Sequence, residues 1–346
     1  MKVLVDRSGL VWGGFEARIY IRSLTDSLKE LDAEIDLSFV EPRSFDILYA
    51  RRLESMLKNG DYALFHGLGP VVPRGFEGAT LLSVPDMSAF AYPRDAGAGG
   101  RVFRRYMSSS IAAARRVLVP SPLVRRELLR RFKYPARWVD CVPAGEWPRM
   151  GIGTATAGDE GFAEALELRS KAALCVCSSA RHKNWALLIE AFGRARRKAI
   201  SDWTLIMAFV DRIPKAIKSG HAEWLKPVQT DDETELSKLY SLADLFLYPS
   251  LYDGFPYLLV AAMKRGIPSL ASRTSSTKEL IKGGARLVDA RNFWELNKWI
   301  ERLLNDEELR AEFGAAGTDE ARKFSWAEHA SSTYDIYRRI AGVGWL

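Results

Sequence analysis

Short apolar runs alternate with stretches of helical period twice along this chain, and a segment of small residues separates the two passes. In the first pass Val3–Val5, Ile35–Val40, Ala63–Phe65, Thr80–Val84, Val117–Val119 and Trp138–Val142 read as strands. Between them Phe15 to Leu31 carries Ile19, Leu24, Leu28 and Leu31 at helical spacing, and helices are also expected at Leu53–Leu57, Val102–Arg115 and Leu123–Phe132. Small residues without periodicity fill the break from Pro148 to Gly161. The second pass has strands at Leu174–Cys177, Leu205–Val210, Leu245–Tyr248 and Ser269–Ala271. Its helices are expected at Trp185–Arg197, Glu233–Ser241, Leu258–Arg265 and Phe293–Leu304. Strand–helix alternation implies parallel sheets covered on both faces, and hence an α/β class. We expect two Rossmann-like βαβ domains facing across a cleft: residues 1–147, a linker at 148–168, a second domain at 169–325, and a last helix at 326–346 crossing back to the first.

A chain of 346 residues is long enough for two such domains. Hydrophobic residues at 47% and charged residues at 27% exclude extended disorder. Three cysteines, an odd number, argue against a disulfide-built fold. Cys175 and Cys177 share one face of a strand, and no zinc set is completed nearby. No uncharged apolar run reaches the roughly 18 residues a membrane span requires. Met1 to Asp6 enters a strand at once, unlike a signal peptide, so a cytoplasmic location is the expectation.

The net charge of +7 is concentrated. Arg101, Arg104, Arg105, Arg115, Arg116, Arg125, Arg126, Arg130, Arg131, Lys133 and Arg137 stand against Glu127 alone between positions 101 and 137. Such a cluster suits an anionic membrane surface or a phosphorylated substrate, or else forms two solvated helix faces. No helix-turn-helix, RNP-like strand or zinc-finger spacing supports nucleic acid.

Four segments can carry chemistry. Gly13 and Gly14 lie between the first strand and the first helix, where backbone N–H groups can approach an anion. Arg181, His182, Lys183 and Asn184 end the strand that opens the second pass, and cations there suit a diphosphate. Tyr248 to Tyr257 ends a strand with Asp253, Gly254, Phe255 and Pro256 before a helix. That pattern sets a carboxylate for hydroxyl groups beside N–H groups for a phosphate, with Pro256 expected in the helix's first turn. Ser272 to Glu279 looks like a capped short helix after a strand.

The stretch PSLYDGFPYLLVAAMKRGIPSL, residues 249–270, resembles the signature of retaining nucleotide-sugar glycosyltransferases of the family-4 kind, which have the GT-B fold. Further likenesses run in order along the chain: Gly13-Gly14-Phe15-Glu16, Lys183 with Leu187–Phe192, Leu239–Asp244, and Leu303–Tyr337 with Phe324-Ser325-Trp326. The resemblance implies transfer of a sugar from a nucleotide-diphosphate donor to an acceptor hydroxyl, by a metal-independent hexosyltransferase with no bound cofactor. A carbohydrate or glycoconjugate acceptor would bind the first domain, with the protein peripheral on the inner face of a membrane if that acceptor is lipid-linked.

By the same resemblance Asp253 takes the place of the Glu that touches the donor sugar. Lys183 neutralises the leaving diphosphate, with Arg181 standing in for a family Arg whose place is held here by Cys177 and Ser178. Gly13, Gly14, Gly254, Phe255, Pro256, Ser275, Ser276 and Glu279 line the donor, and Asp86 is an acceptor-side candidate. His66 is a second acceptor-side candidate from its own position, a histidine at the end of a first-pass strand facing the expected cleft. The chain departs from the family at Ala261, where a second Glu would hold the ribose, and at Pro85, where many members have His. Those departures motivate a rival reading, a catalytically weak or inactive GT-B binding or scaffolding protein; a sugar-nucleotide epimerase on the same two-domain plan is a further, weaker alternative.

Overall fold

The computed structural model describes residues 1–31, 35–42, 48–147, 166, 168, 171–218, 222–273 and 276–342. Two units divide the chain, Met1–Gly145 with Phe324–Leu346, and Glu146–Lys323. The segment read as a linker lies outside the described residues except at Leu166 and Leu168.

The first unit is built on a parallel sheet of β1 (Lys2–Asp6), β2 (Asp36–Val40), β3 (Leu64–Gly67), β4 (Ala79–Ser83), β5 (Arg116–Val119) and β6 (Val139–Cys141), in the order β2-β1-β3-β4-β5-β6. β1 pairs on one side with β2, Val3 opposite Leu37, and on the other with β3, Val3 opposite Leu64. Strand order reverses there, so the carboxyl ends of β1 and β3 flank the crevice where sheets of this kind take ligands. Helix Phe15–Glu30 buries Phe15, Ile19, Leu24 and Leu28 at the spacing read from the sequence. Helix Pro122–Arg131 starts as its sequence dictates: the Ser121 hydroxyl accepts from the Val124 N–H, and Pro122 opens the first turn.

The last helix, Trp326–Ala341, belongs to this unit and is fixed by a buried polar network. His66 Nδ1 lies 2.6 Å from Tyr337 Oη, and Nε2 lies 2.8 Å from Ser83 Oγ. Tyr20 donates to Ser83 Oγ at 3.0 Å and meets His329 Nε2 at 3.1 Å. Burial holds His66 down at about 3 and His329 at about 4, so both rings are neutral. Because both values fall below the ordinary 6.5, their contribution to stability is intact above pH 6.5 and is lost as pH falls toward 4. Asp6 runs the other way: burial raises it to about 6, so its contribution is full below 3.8 and lost as pH rises through 6. The two histidines outweigh it, and unfolding free energy should drop by about 2–3 kcal/mol from pH 7 to pH 5. Urea titrations at the two pH values check this, and the drop should shrink in His329→Gln. A flat or rising profile on acidification contradicts it.

The second unit carries β7 (Lys171–Cys177), β8 (Trp203–Phe209), β9 (Leu225–Gln229), β10 (Leu245–Tyr248), β11 (Ser269–Ser272) and β12 (Arg286–Val288), all parallel, in the order β12-β11-β10-β7-β8-β9. Counted from β7, this is the 6-5-4-1-2-3 order of a dinucleotide-type sheet, whose reversal falls between β7 and β10. β8 is buried at every residue, as a central parallel strand must be. Trp203 anchors this core, its indole N–H donating to the Leu304 carbonyl at 3.2 Å.

Candidate active site

The strand reversal places two chain segments side by side. β7 runs out through Ser178–Ala180 into a 3-10 turn, Arg181–Lys183, and then into helix Trp185–Ala195. β10 runs out through Pro249–Pro256 into helix Tyr257–Lys264. A backbone bond from the Leu251 N–H to the His182 carbonyl, 2.8 Å, joins the two loops. Across them Lys183 Nζ donates to Asp253 Oδ1. Both side chains are buried, at 7% and 4% exposure. The other carboxylate oxygen, Asp253 Oδ2, is buried with no hydrogen-bond partner. Buried polar atoms are nearly always satisfied, so this oxygen beside a buried cation has the capacity to accept a further hydrogen bond.

Asn184 follows Lys183 at φ 57°, ψ 26° in the left-handed region, the one non-glycine residue with positive φ among those described. Asn tolerates that conformation where most side chains do not. Its amide donates to the Ala290 carbonyl at 2.7 Å, tying the turn to the loop after β12. Asn184→Gly should therefore lose little more than one hydrogen bond, about 1 kcal/mol. Asn184→Val adds the left-handed penalty and should cost about 2–3 kcal/mol in all. Chemical denaturation ranks them, and a valine variant as stable as the glycine one contradicts the turn's constraint.

The loop after β11 adds a third element. Ser276 caps helix Thr277–Leu280, and its hydroxyl is buried with no partner, while the Thr277 hydroxyl donates to the Ser272 carbonyl. Ser275 lies outside the described residues. No three metal-ligating side chains come together among the described residues.

Residues 159–320 match the family model of glycosyl transferases group 1. Among characterised relatives, the O-antigen chain mannosyltransferase B of Escherichia coli is 24% identical over 319 residues, spanning 86% of this chain and 80% of that protein. Among solved structures, the sucrose-phosphate synthase of Thermosynechococcus elongatus superposes with a TM-score of 0.77 at 18% identity, covering 99% of this chain and 100% of the other. The Anabaena protein HepE, crystallised with UDP and glucose, gives a TM-score of 0.73 at 14% identity over 98% and 100% of the two chains. The chain carries a glycosyl transferases group 1 domain and has the GT-B fold of these structures.

The fold places the other candidate residues unevenly. Lys183, Asp253, Gly254 and Phe255 come together, all buried. Arg181 shares the turn with Lys183 but is exposed. Pro256 is the N-cap of helix Tyr257–Lys264 rather than a first-turn residue, with φ −86° and ψ 60°. Glu279 sits in the short helix after Ser276. In the first unit Gly13 closes helix Gly9–Trp12, and a Cβ there would meet the Gly9 carbonyl oxygen at 2.5 Å. Gly14 starts helix Phe15–Glu30, where a Cβ would meet nothing within 4 Å, so packing within the chain does not demand glycine.

Of the two acceptor-side candidates, His66 is placed differently from the sequence expectation. His66 is not an open strand-end imidazole: it is fully buried and both its nitrogens are engaged in the network with Ser83 and Tyr337. Asp86 accepts the Ser88 N–H at 2.6 Å at the start of helix Ser88–Ala91. Sequence reading missed the left-handed Asn184 and the Leu251–His182 bond. The first had a signal, an Asn directly after Lys183 at a helix start, whereas the second depends on strand order.

Proposed function

We propose that this glycosyltransferase moves a hexose from a nucleoside-diphosphate donor to an acceptor hydroxyl, retaining the anomeric configuration. The observation that carries the reading is the buried Lys183–Asp253 pair at the strand reversal, with one carboxylate oxygen left for a ligand. Asp253 Oδ2 accepts a hydrogen bond from a donor-sugar hydroxyl. Lys183, with Arg181 beside it, faces the leaving diphosphate, whose negative charge grows as the glycosidic bond breaks. Fixed charge in a buried site stabilises that transition state more than it stabilises the neutral parts of the substrate. The N–H groups of Gly254 and Phe255 and the hydroxyl of Ser276 suit the sugar and phosphate oxygens. These groups stabilise the diphosphate by charge and dipole, so the chemistry this chain supplies requires no metal.

Retention rests on the likeness of residues 249–270 to retaining enzymes, and Asp253 bears on its route. A carboxylate already ion-paired to Lys183 is a poor nucleophile, so the acceptor attacks from the side of the leaving phosphate, which takes its proton. The mannosyltransferase relative makes mannose the first sugar to test. Ala261 leaves the ribose without the carboxylate the family pattern supplies, and it is buried on helix Tyr257–Lys264. The ribose is then held by backbone or by the loops after β8 and β9.

A panel of nucleoside-diphosphate hexoses tests the reading. One donor should release nucleoside diphosphate in step with glycoside formed on an acceptor, and the product should keep the donor's anomeric configuration. Nucleotide binding without release across donors and acceptors contradicts it, as does sugar interconversion in the absence of acceptor.

A further inference from the structure

The two most exposed large apolar side chains among the described residues lie on one face of the second unit. Ile200 is 90% exposed and Trp294 is 63% exposed. Trp294 borders an open groove along helix Phe293–Asn305, whose other side carries Arg194 and Lys198. Asn297 fastens the groove from below, its buried amide donating to the Ala191 carbonyl at 2.9 Å. Asn305 closes the far end, where its side chain accepts the Ile200 N–H at 2.8 Å. Exposed apolar side chains scattered singly are ordinary, but two at the ends of one groove mark an interaction surface.

The charge of this face is divided. Its lining holds four basic and four acidic side chains, so it is neutral on a chain of net charge +7. In the middle the charges pair with each other, Lys198 with Glu301 at 3.0 Å and Arg302 with Asp306 at 3.9 Å. At the Trp294 end stand Arg194 and Lys298, both exposed. Arg194 lies 4.8 Å over the indole ring, and neither cation has an acidic partner among the described residues. At the other end Glu307 and Glu308, also exposed, open helix Glu307–Ala321. Glu307 meets Lys171 at 3.0 Å, whereas Glu308 has no basic partner among the described residues. At about 1.5 Å per residue, helix Phe293–Asn305 holds the two ends about 18 Å apart. That exceeds the roughly 8 Å screening length at physiological salt, so the ends act as separate fields.

A partner of one sign is repelled at one end of this face. The surface that fits carries the same charges in reverse order, and a second copy of the face, turned by half a revolution, supplies it. Two-fold symmetry sets residue i of one copy on residue j of the other, and j on i. Arg194 and Lys298 of each copy then oppose Glu307 and Glu308 of the other, and each Trp294 is set toward the Ile200 end of its counterpart. Tryptophan and arginine are the side chains that most often carry interface energy.

We propose that two copies of this chain associate through this face as an antiparallel, two-fold dimer. The face lies wholly in the second unit and is independent of the sugar-transfer reading.

Sedimentation equilibrium of the full chain over a range of concentrations tests it. The parent should follow a monomer–dimer equilibrium, and Trp294→Ala should weaken association at least tenfold. Arg194→Glu with Lys298→Glu, and separately Glu307→Lys with Glu308→Lys, should each be monomeric, because each sets like charges opposite one another. Mixed one to one, these two variants should associate about as the parent does, since every opposed pair is again of unlike sign; that recovery also shows both to be folded. The proposal is overturned if the parent stays monomeric throughout, if Trp294→Ala or either charge reversal dimerises as the parent does, or if the two reversed variants stay monomeric when mixed.

Discussion

Replacing Lys183 by methionine is expected to slow sugar transfer about a hundredfold or more, roughly 3 kcal/mol of transition-state stabilisation. The ammonium is buried in the second unit at the strand reversal, where its charge is weakly screened. The leaving diphosphate gains charge only as the reaction proceeds, so the loss should appear in kcat more than in KM. Lys183→Arg should recover part of the rate, since a guanidinium keeps the charge. Steady-state kinetics on the three proteins read this directly. A methionine variant with near-parental turnover would remove Lys183 from the chemistry.

The second large effect is on stability and needs no substrate. Asp253→Asn leaves the Lys183 ammonium buried without its counter-charge, and the fold should lose about 3–5 kcal/mol. Removing both charges, as in Lys183→Met with Asp253→Leu, should restore most of that loss, because a buried ion pair adds little net stability over an apolar pair. The double variant should be stable and inactive, which separates what the pair does for folding from what it does for catalysis. Denaturant titrations of single and double variants give the cycle. If the double variant is as unstable as Asp253→Asn, the stability does not rest on the charge balance of this buried pair.

The sequence made the interior of the fold legible and its margins obscure. β7, β8, β10 and β11 are buried strands whose runs of Ala, Cys, Leu, Ile and Val admit one reading. β9 and β12 went unread, and both are edge strands. β9 holds Pro227 and is half-buried, while β12 is three residues beginning with Arg286. An edge strand needs no continuous apolar run and tolerates proline, so neither carries the signal of a central strand.

The same division holds at the site. Lys183 and Asp253 are each legible from their local motifs, a cation and an acid at strand ends before helices. Their contact is not, because it depends on which strands become neighbours. His66 shows the converse. As the penultimate residue of a short strand it has the sequence position of an open ligand, but Tyr337, 271 residues away, closes over it. Burial by a distant helix leaves no local trace. Likewise, nothing in the run of arginines distinguishes Arg104, Arg116 and Arg125, which brace backbone and Asp140, from the outward-facing residues at 126–137.

A crystal structure of the protein with a nucleoside-diphosphate hexose tests the central claim most directly. The diphosphate should lie within hydrogen-bonding distance of Lys183 Nζ, and a sugar hydroxyl should donate to Asp253 Oδ2, the oxygen left open in the buried pair. A donor bound elsewhere, touching neither Lys183 nor Asp253, would contradict the account.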